Sequence, residues 1–181
     1  MNFLLKLVPR SIRLFFHKLY VSKKQEDFNP ERENVPLKEA RSIGILFDAS
    51  LLENHLPVIE YSKKLKLERK KVSVLGYMNS SRPNTHYSFP VFCNNDLSWR
   101  YLPTIFQVND FMDERFDILI NAYNGNSVPL EYISTFSNAK LRVGTYQEGR
   151  ENCSDFMINL EGEAGVGKIL EQIHKLLSNF N

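Results

Sequence analysis

Cysteine is nearly absent from this chain of 181 residues. Cys93 and Cys153 are the only two, too few for a disulfide scaffold or a four-cysteine zinc site. Long apolar runs are missing as well. No uncharged stretch approaches the ~20 residues that crossing a bilayer requires, which excludes a multi-span membrane protein. Acidic residues are absent from residues 1–24, which carry Lys6, Arg10, Arg13, Lys18, Lys23 and Lys24. The rest of the chain holds 17 basic and 21 acidic side chains, a net −4 against +2 for the whole. Such asymmetry points one part of the chain at a polyanion or a membrane. What is present is ordinary: 43% hydrophobic and 24% charged residues exclude wholesale disorder. The length suits one domain with a small appendage.

The basic segment has an order. Lys6, Arg10, Arg13, His17 and Tyr20 recur at spacings that share one helical face. Leu5, Ile12, Phe16 and Leu19 make an apolar row, widened by Phe3, Leu4, Leu7, Val8, Leu14 and Phe15. The spacing predicts an amphipathic helix starting near Pro9, a residue tolerated in a first turn. As a secretory signal the segment reads poorly. Its cations lie within and after the apolar part, and no small-x-small cleavage site follows. Cytoplasmic location is the default expectation, with peripheral attachment to the inner membrane as a variant. Three roles fit such a helix: lying in an anionic membrane surface, gripping RNA or a ribosome-like particle, or docking its apolar face on its own domain.

Residues 25–40 carry mixed charge with Pro30 and Pro36 and read as a linker. From there to residue 181 strands and helices alternate. Ile43–Phe47 is a strand ending at Asp48; residues 51–70 are a helix, with Ser50 and Glu53 spaced as a capping box. Pro57 moves the start of that helix to about 55–57. Lys71–Tyr77 is the second strand, completing a βαβ unit. Residues 79–104 hold a dense aromatic set, including Tyr87, Phe89, Phe92, Trp99 and Tyr101. They predict a short β-ribbon around His86–Phe92 and an irregular excursion that covers a sheet edge or faces a partner. A short helix capped by Asn109, a strand over 116–122, a helix with Ser127 at its cap and Pro129 in its first turn, strands over 141–145 and 155–160, and an amphipathic helix from Val166 to Phe180 complete the pattern. The fold class is α/β: an open, mostly parallel Rossmann-like sheet flanked by helices, preceded by the basic helix.

Ligands of open α/β sheets bind beyond the carboxyl ends of the strands. Asp48, Ser50, Asn121, Tyr123 and Asn124 belong there and are the candidates for holding a small anionic ligand. The first strand-to-helix turn, FDASLLEN, has no glycine, so the dinucleotide fingerprint is missing. Gly162-Glu163-Ala164-Gly165-Val166-Gly167-Lys168 matches the spacing of a phosphate loop. However, Ile169 stands where a magnesium-holding hydroxyl belongs, and Glu161 and Glu163 put negative charge at the phosphate position. A plain strand-to-helix turn is the expectation. His17, His55, His86 and His174 share no metal-ligand spacing. Neither cysteine has a histidine near it in sequence, and the carboxylates show no paired arrangement. No metal, cofactor or catalytic residue is expected.

The segments GILFDAS (44–50), VSVLGY (72–77), DLSW (96–99), FDILINAYNGNSVPLEYISTFSNAKLRVG (116–144) and DFMINL (155–160) resemble a family of uncharacterised bacterial α/β proteins over roughly residues 40–180. That resemblance implies the fold and carries no activity or site residue. The same stretch is similar, more loosely, to the N-terminal domain of heptosyltransferase-type glycosyltransferases. Those enzymes also need a second, nucleotide-sugar-binding domain, so this similarity implies fold rather than activity.

The expected role is a non-catalytic accessory protein attached to a membrane surface or to a larger protein or ribonucleoprotein assembly. Lys6, Arg10, Arg13, Phe15, Phe16 and Lys18 would make the attachment, and Trp99 would present the aromatic excursion to a partner. The alternative is an enzyme or sensor that binds an anionic small molecule at the strand ends.

Overall fold

The computed structural model describes residues 8–81, 87–160, 162 and 164–179. Six strands form one sheet: β1 (Ser42–Asp48), β2 (Lys71–Met78), β3 (Val91–Cys93), β4 (Ile118–Ala122), β5 (Leu141–Thr145) and β6 (Phe156–Ile158). Their order is β3-β2-β1-β4-β5-β6, and every pairing is parallel. The helices are α1 (Arg10–Glu26), α2 (His55–Leu67), α3 (Phe106–Asp113), α4 (Val128–Thr135) and α5 (Val166–Ser178).

The central strands are apolar nearly throughout because both sheet faces are covered. Ile43, Ile45 and Phe47 of β1 and Ile118 and Ile120 of β4 pack in one core with Val58 and Leu65 of α2 and Ile169, Ile173 and Leu177 of α5. The alternate residues Leu46 and Leu119 enter a second core with Phe111 of α3 and Leu130, Ile133 and Phe136 around α4. Gly44 sits on that second face. A Cβ there would lie 2.8 Å from the Phe116 ring, so the absence of a side chain makes room for a fully buried phenylalanine.

Several expectations are corrected. The segment 79–104 contributes a sheet strand, β3, which pairs with β2 through Gly76–Val91, Tyr77–Phe92 and Met78–Cys93, rather than a separate ribbon. Three residues between Pro90 and Asn94 are too few to give an alternation signal. His86 lies outside the described residues. Asn109 is inside α3, whose cap position is Ile105. Ser50 and Glu53 form no capping box: the Ser50 hydroxyl accepts the Asn79 amide instead, and the cap of α2 is Asn54. The lead-in over 50–54 and the late start of α2 are as the Pro57 argument requires.

The stretch read as a linker is a strap laid on the domain. Glu33 and Leu37 amides donate to the Lys140 and Leu177 carbonyls, Lys70 Nζ donates to the Leu37 and Ala40 carbonyls, and Leu37 and Ala40 are buried. The strap returns the chain from the far end of α1 to the start of β1.

Candidate functional site

α1 lies against the domain with its polar stripe inward. Arg13 Nε donates to the Trp99 carbonyl at 2.6 Å, and its guanidinium sits 4.0 Å above the Tyr101 ring. One turn on, His17 is buried, and its Nδ1 is 2.7 Å from the Arg100 carbonyl. Lys24 donates to the Tyr132 hydroxyl at 2.8 Å and lies over the Phe136 ring. Arg100 answers by stacking on Tyr20 of the helix. Cation–π contacts of this kind contribute about 0.5–2 kcal/mol each, the more so as water is excluded.

The spacing of Arg13, His17, Tyr20 and Lys24 therefore marks the buried face. The apolar row points away from the domain: Ile12, Phe15, Phe16 and Leu19 are 45, 63, 42 and 58% exposed. Phe16 meets the edge of Trp99, so the excursion and the helix share one outer surface. Lys18 lies to one side of the row and Lys23 continues it one turn beyond Leu19; both are exposed. Glu26 is the sole acid of α1. Lys6 lies outside the described residues. Of the anchor candidates, Arg13, Phe16 and Trp99 come together; Phe15 and Lys18 face outward; and Arg10 is exposed at the start of the helix, beside the strand ends.

His17 makes this contact sensitive to pH. Burial drives its pKa below the usual histidine value; the hydrogen bond to the Arg100 carbonyl opposes this, and the Arg100 charge adds to the lowering. The folded value is below the unfolded one, so its contribution is complete above about pH 6.5 and is lost as the pH falls through the folded value. His174, half-buried and next to Lys64, is lowered for the same reasons and has the same sign. Thermal melts between about pH 7.5 and 5 should show falling stability. His17→Gln, which can still donate to the Arg100 carbonyl, should flatten that slope without abolishing it. An unchanged slope would mean that His17 titrates freely in the folded protein.

Two clefts open at the carboxyl ends of the strands and meet at Asp48, where the strand order reverses between β1 and β4. The first, about 500 Å³, runs under Arg10 and Arg13 of α1. The second, about 580 Å³, runs along Tyr123, Asn124 and the start of α5. Asp48 Oδ1 accepts the Ser50 amide, and Asn54 Nδ2 donates to the Asp48 carbonyl. The β1–α2 turn is thus tied by its own side chains where a glycine-rich turn would cradle phosphate.

Asn121 is buried and used internally. Its amide nitrogen, with two hydrogens to share, lies 2.7–3.0 Å from Ser134 Oγ, the Cys153 carbonyl and Ser154 Oγ, which joins β4 to α4 and to the turn before β6. The Tyr123 side chain is also buried, and Asn124 donates to the Ala164 carbonyl. Of the five ligand candidates, Asp48, Tyr123 and Asn124 line a cleft, Ser50 braces a turn and Asn121 is a core residue. Gly165 caps α5; Glu161 and Glu163 lie outside the described residues. Both thiols are buried, and burial pushes them up from the ordinary range, away from the thiolate a nucleophile needs. Among the described residues no cluster of three or more His, Cys, Asp or Glu side chains could hold a metal, and no helix is long and apolar enough to cross a membrane.

Sequence reasoning found the cationic stripe and placed Tyr101 in the aromatic excursion, but it missed Arg100 and the pairing of Tyr101 with Arg13. Tyr101 has φ 61°, a conformation uncommon for a bulky residue. It is held by the Ser98 turn, through its amide to the Ser98 carbonyl and Ser98 N to the Leu102 carbonyl. That turn puts the ring under Arg13, a contact between residues 88 positions apart that no local pattern signals.

Together these features define a parallel α/β protein with Rossmann strand order, a helix laid over one face and a polar cleft at the strand reversal. The chain belongs to DUF6913, a family of unknown function, whose match covers residues 13–180. No curated protein matches it significantly.

Proposed function

We propose that this is a non-catalytic accessory protein that sits on an anionic membrane surface through the outer face of α1. One observation carries the reading: the helix is glued to the domain by its cations, so that Ile12, Phe15, Phe16 and Leu19 are left in water. A helix needing only to pack on its own domain would bury that row. Its phenylalanine-rich strip, with Lys18 beside it and Lys23 at its end, suits the acyl boundary with cations at headgroup level. The net negative remainder of the chain is compatible with a domain held off the bilayer by the helix beneath it. In a cell this would be peripheral attachment at the cytoplasmic face of the inner membrane.

The test is sedimentation of the intact chain with phosphatidylcholine vesicles, with and without phosphatidylglycerol. The protein should pellet with the anionic vesicles. Added salt should weaken binding without abolishing it, because apolar insertion is not screened. Failure to pellet with either vesicle would overturn the membrane reading and turn the same face toward a protein or ribonucleoprotein partner.

A further inference from the structure

We infer that the cleft beneath the start of α1 is a binding site for a hydroxylated phosphate ester, gripped by Arg10 and Arg13. The cleft, about 500 Å³, is of the size that holds small molecules. It opens at the strand reversal, where the fold offers such a site. Its wall on the α1 side carries two guanidinium groups, one turn apart.

Arg13 is fixed in advance of any ligand. Its Nε is taken by the Trp99 carbonyl and its plane is stacked on Tyr101, which leaves its two Nη atoms without an acceptor among the described residues. Arg10 lines the same wall, exposed, and has no ion-pair partner among the described residues. The carboxylate in the lining is Asp48, and one of its oxygens already accepts the Ser50 amide. Two arginines against one carboxylate leave the cleft with a net positive charge. A dianionic phosphate matches it better than a single carboxylate does, since each guanidinium can present a two-pronged edge to phosphate oxygens.

The opposite lining specifies the rest of the ligand. Asn95 and Asn126 bring exposed amides, and the second oxygen of Asp48 is an acceptor. Amides and a carboxylate read hydroxyl groups, as donors and acceptors together. An ester of a sugar or polyol with phosphate fits both halves. Such an ester could be a free metabolite or a lipid headgroup, and the strap-and-helix arrangement places the cleft at the end of the same helix proposed to lie on the membrane. The inference stands without that reading, because the test below contains no vesicles.

The experiment is calorimetric titration of the intact chain. One arm uses glucose 6-phosphate and ribose 5-phosphate, and the other uses glycerol 3-phosphate, the deacylated headgroup of phosphatidic acid and, like the sugar phosphates, a dianionic monoester. Glucose, ribose and glycerol serve as the phosphate-free counterparts. At least one ester should bind saturably with Kd below about 1 mM, and its counterpart should not. Arg10→Gln should weaken binding about tenfold or more at an unchanged melting temperature, since Arg10 is exposed and has no hydrogen bond or ion pair to lose among the described residues. Arg13→Lys, which keeps the charge and loses the fork, should weaken it as well. The arm that binds tells metabolite from headgroup. If no ester binds, or if Arg10→Gln binds as tightly as the natural chain, the assignment is wrong.

Discussion

Asp155→Ala should cost the fold about 3–5 kcal/mol. Arg142 lies on β5 with its side chain buried, and Asp155 holds it from both sides. Nη2 donates to Oδ1 at 2.7 Å, Nε to Oδ2 at 3.2 Å, and the Arg142 backbone amide to Oδ2 at 2.8 Å. Its remaining nitrogen, Nη1, donates to the Ser134 and Asn152 carbonyls. Without the carboxylate a guanidinium stays buried among carbonyl dipoles with no counter-charge, and the strand edge loses an amide acceptor. Asp155 is about a quarter exposed, which places the loss near the lower end of that range. For a chain of this size the melting temperature should fall by roughly 6–12 °C. The double variant Arg142→Met, Asp155→Leu should recover part of the loss, because it removes both charges. Urea unfolding would measure both. A loss under about 1 kcal/mol for Asp155→Ala would mean that the pair behaves as a solvated surface pair.

The sheet was legible in the sequence because its strands are short apolar runs between turns, and runs such as GILF and DILIN admit few other readings. Strand β3 was not, since three residues carry no periodicity and their pairing with β2 is a tertiary fact. Asn109 misled because an asparagine before apolar residues looks like a cap wherever it stands. The basic helix is the instructive case. Its two faces were readable from spacing alone, but their direction was not. Packing rules put the apolar face inward, whereas here arginine, lysine and histidine meet Tyr101, Tyr132, Phe136 and backbone carbonyls. Those acceptors come from residues more than 80 positions away, and no local pattern announces them. The strand-end candidates divide for a similar reason. Asp48 reaches a cleft because it ends its strand. Asn121 does not, because its side chain enters the sheet face covered by α4, where Ser134 and Ser154 take up its amide.

The direction of α1 also decides how the attachment is best probed. Removing the helix would strip the cover from Tyr101, Tyr132 and Phe136 as well as the outer face, so loss of binding and loss of stability would arrive together. Point changes on the outer face separate them. Phe15 and Leu19 face away from the domain and are among the most exposed apolar side chains of the helix. Each is worth about 1.5–3 kcal/mol when fully buried in an apolar medium. At the shallow depth of an interfacial helix, roughly 1 kcal/mol each is expected. Serine at both positions therefore removes about 2 kcal/mol of membrane affinity, or roughly thirtyfold. Folded stability should stay within about 0.5 kcal/mol, as for other surface changes.

The decisive measurement is the partition of Phe15→Ser, Leu19→Ser between buffer and phosphatidylglycerol-containing vesicles, set beside the natural chain and with matched melting curves. The account predicts a loss of about thirtyfold with the fold intact. Equal partition of the two proteins, or a natural chain that ignores the vesicles altogether, would contradict it.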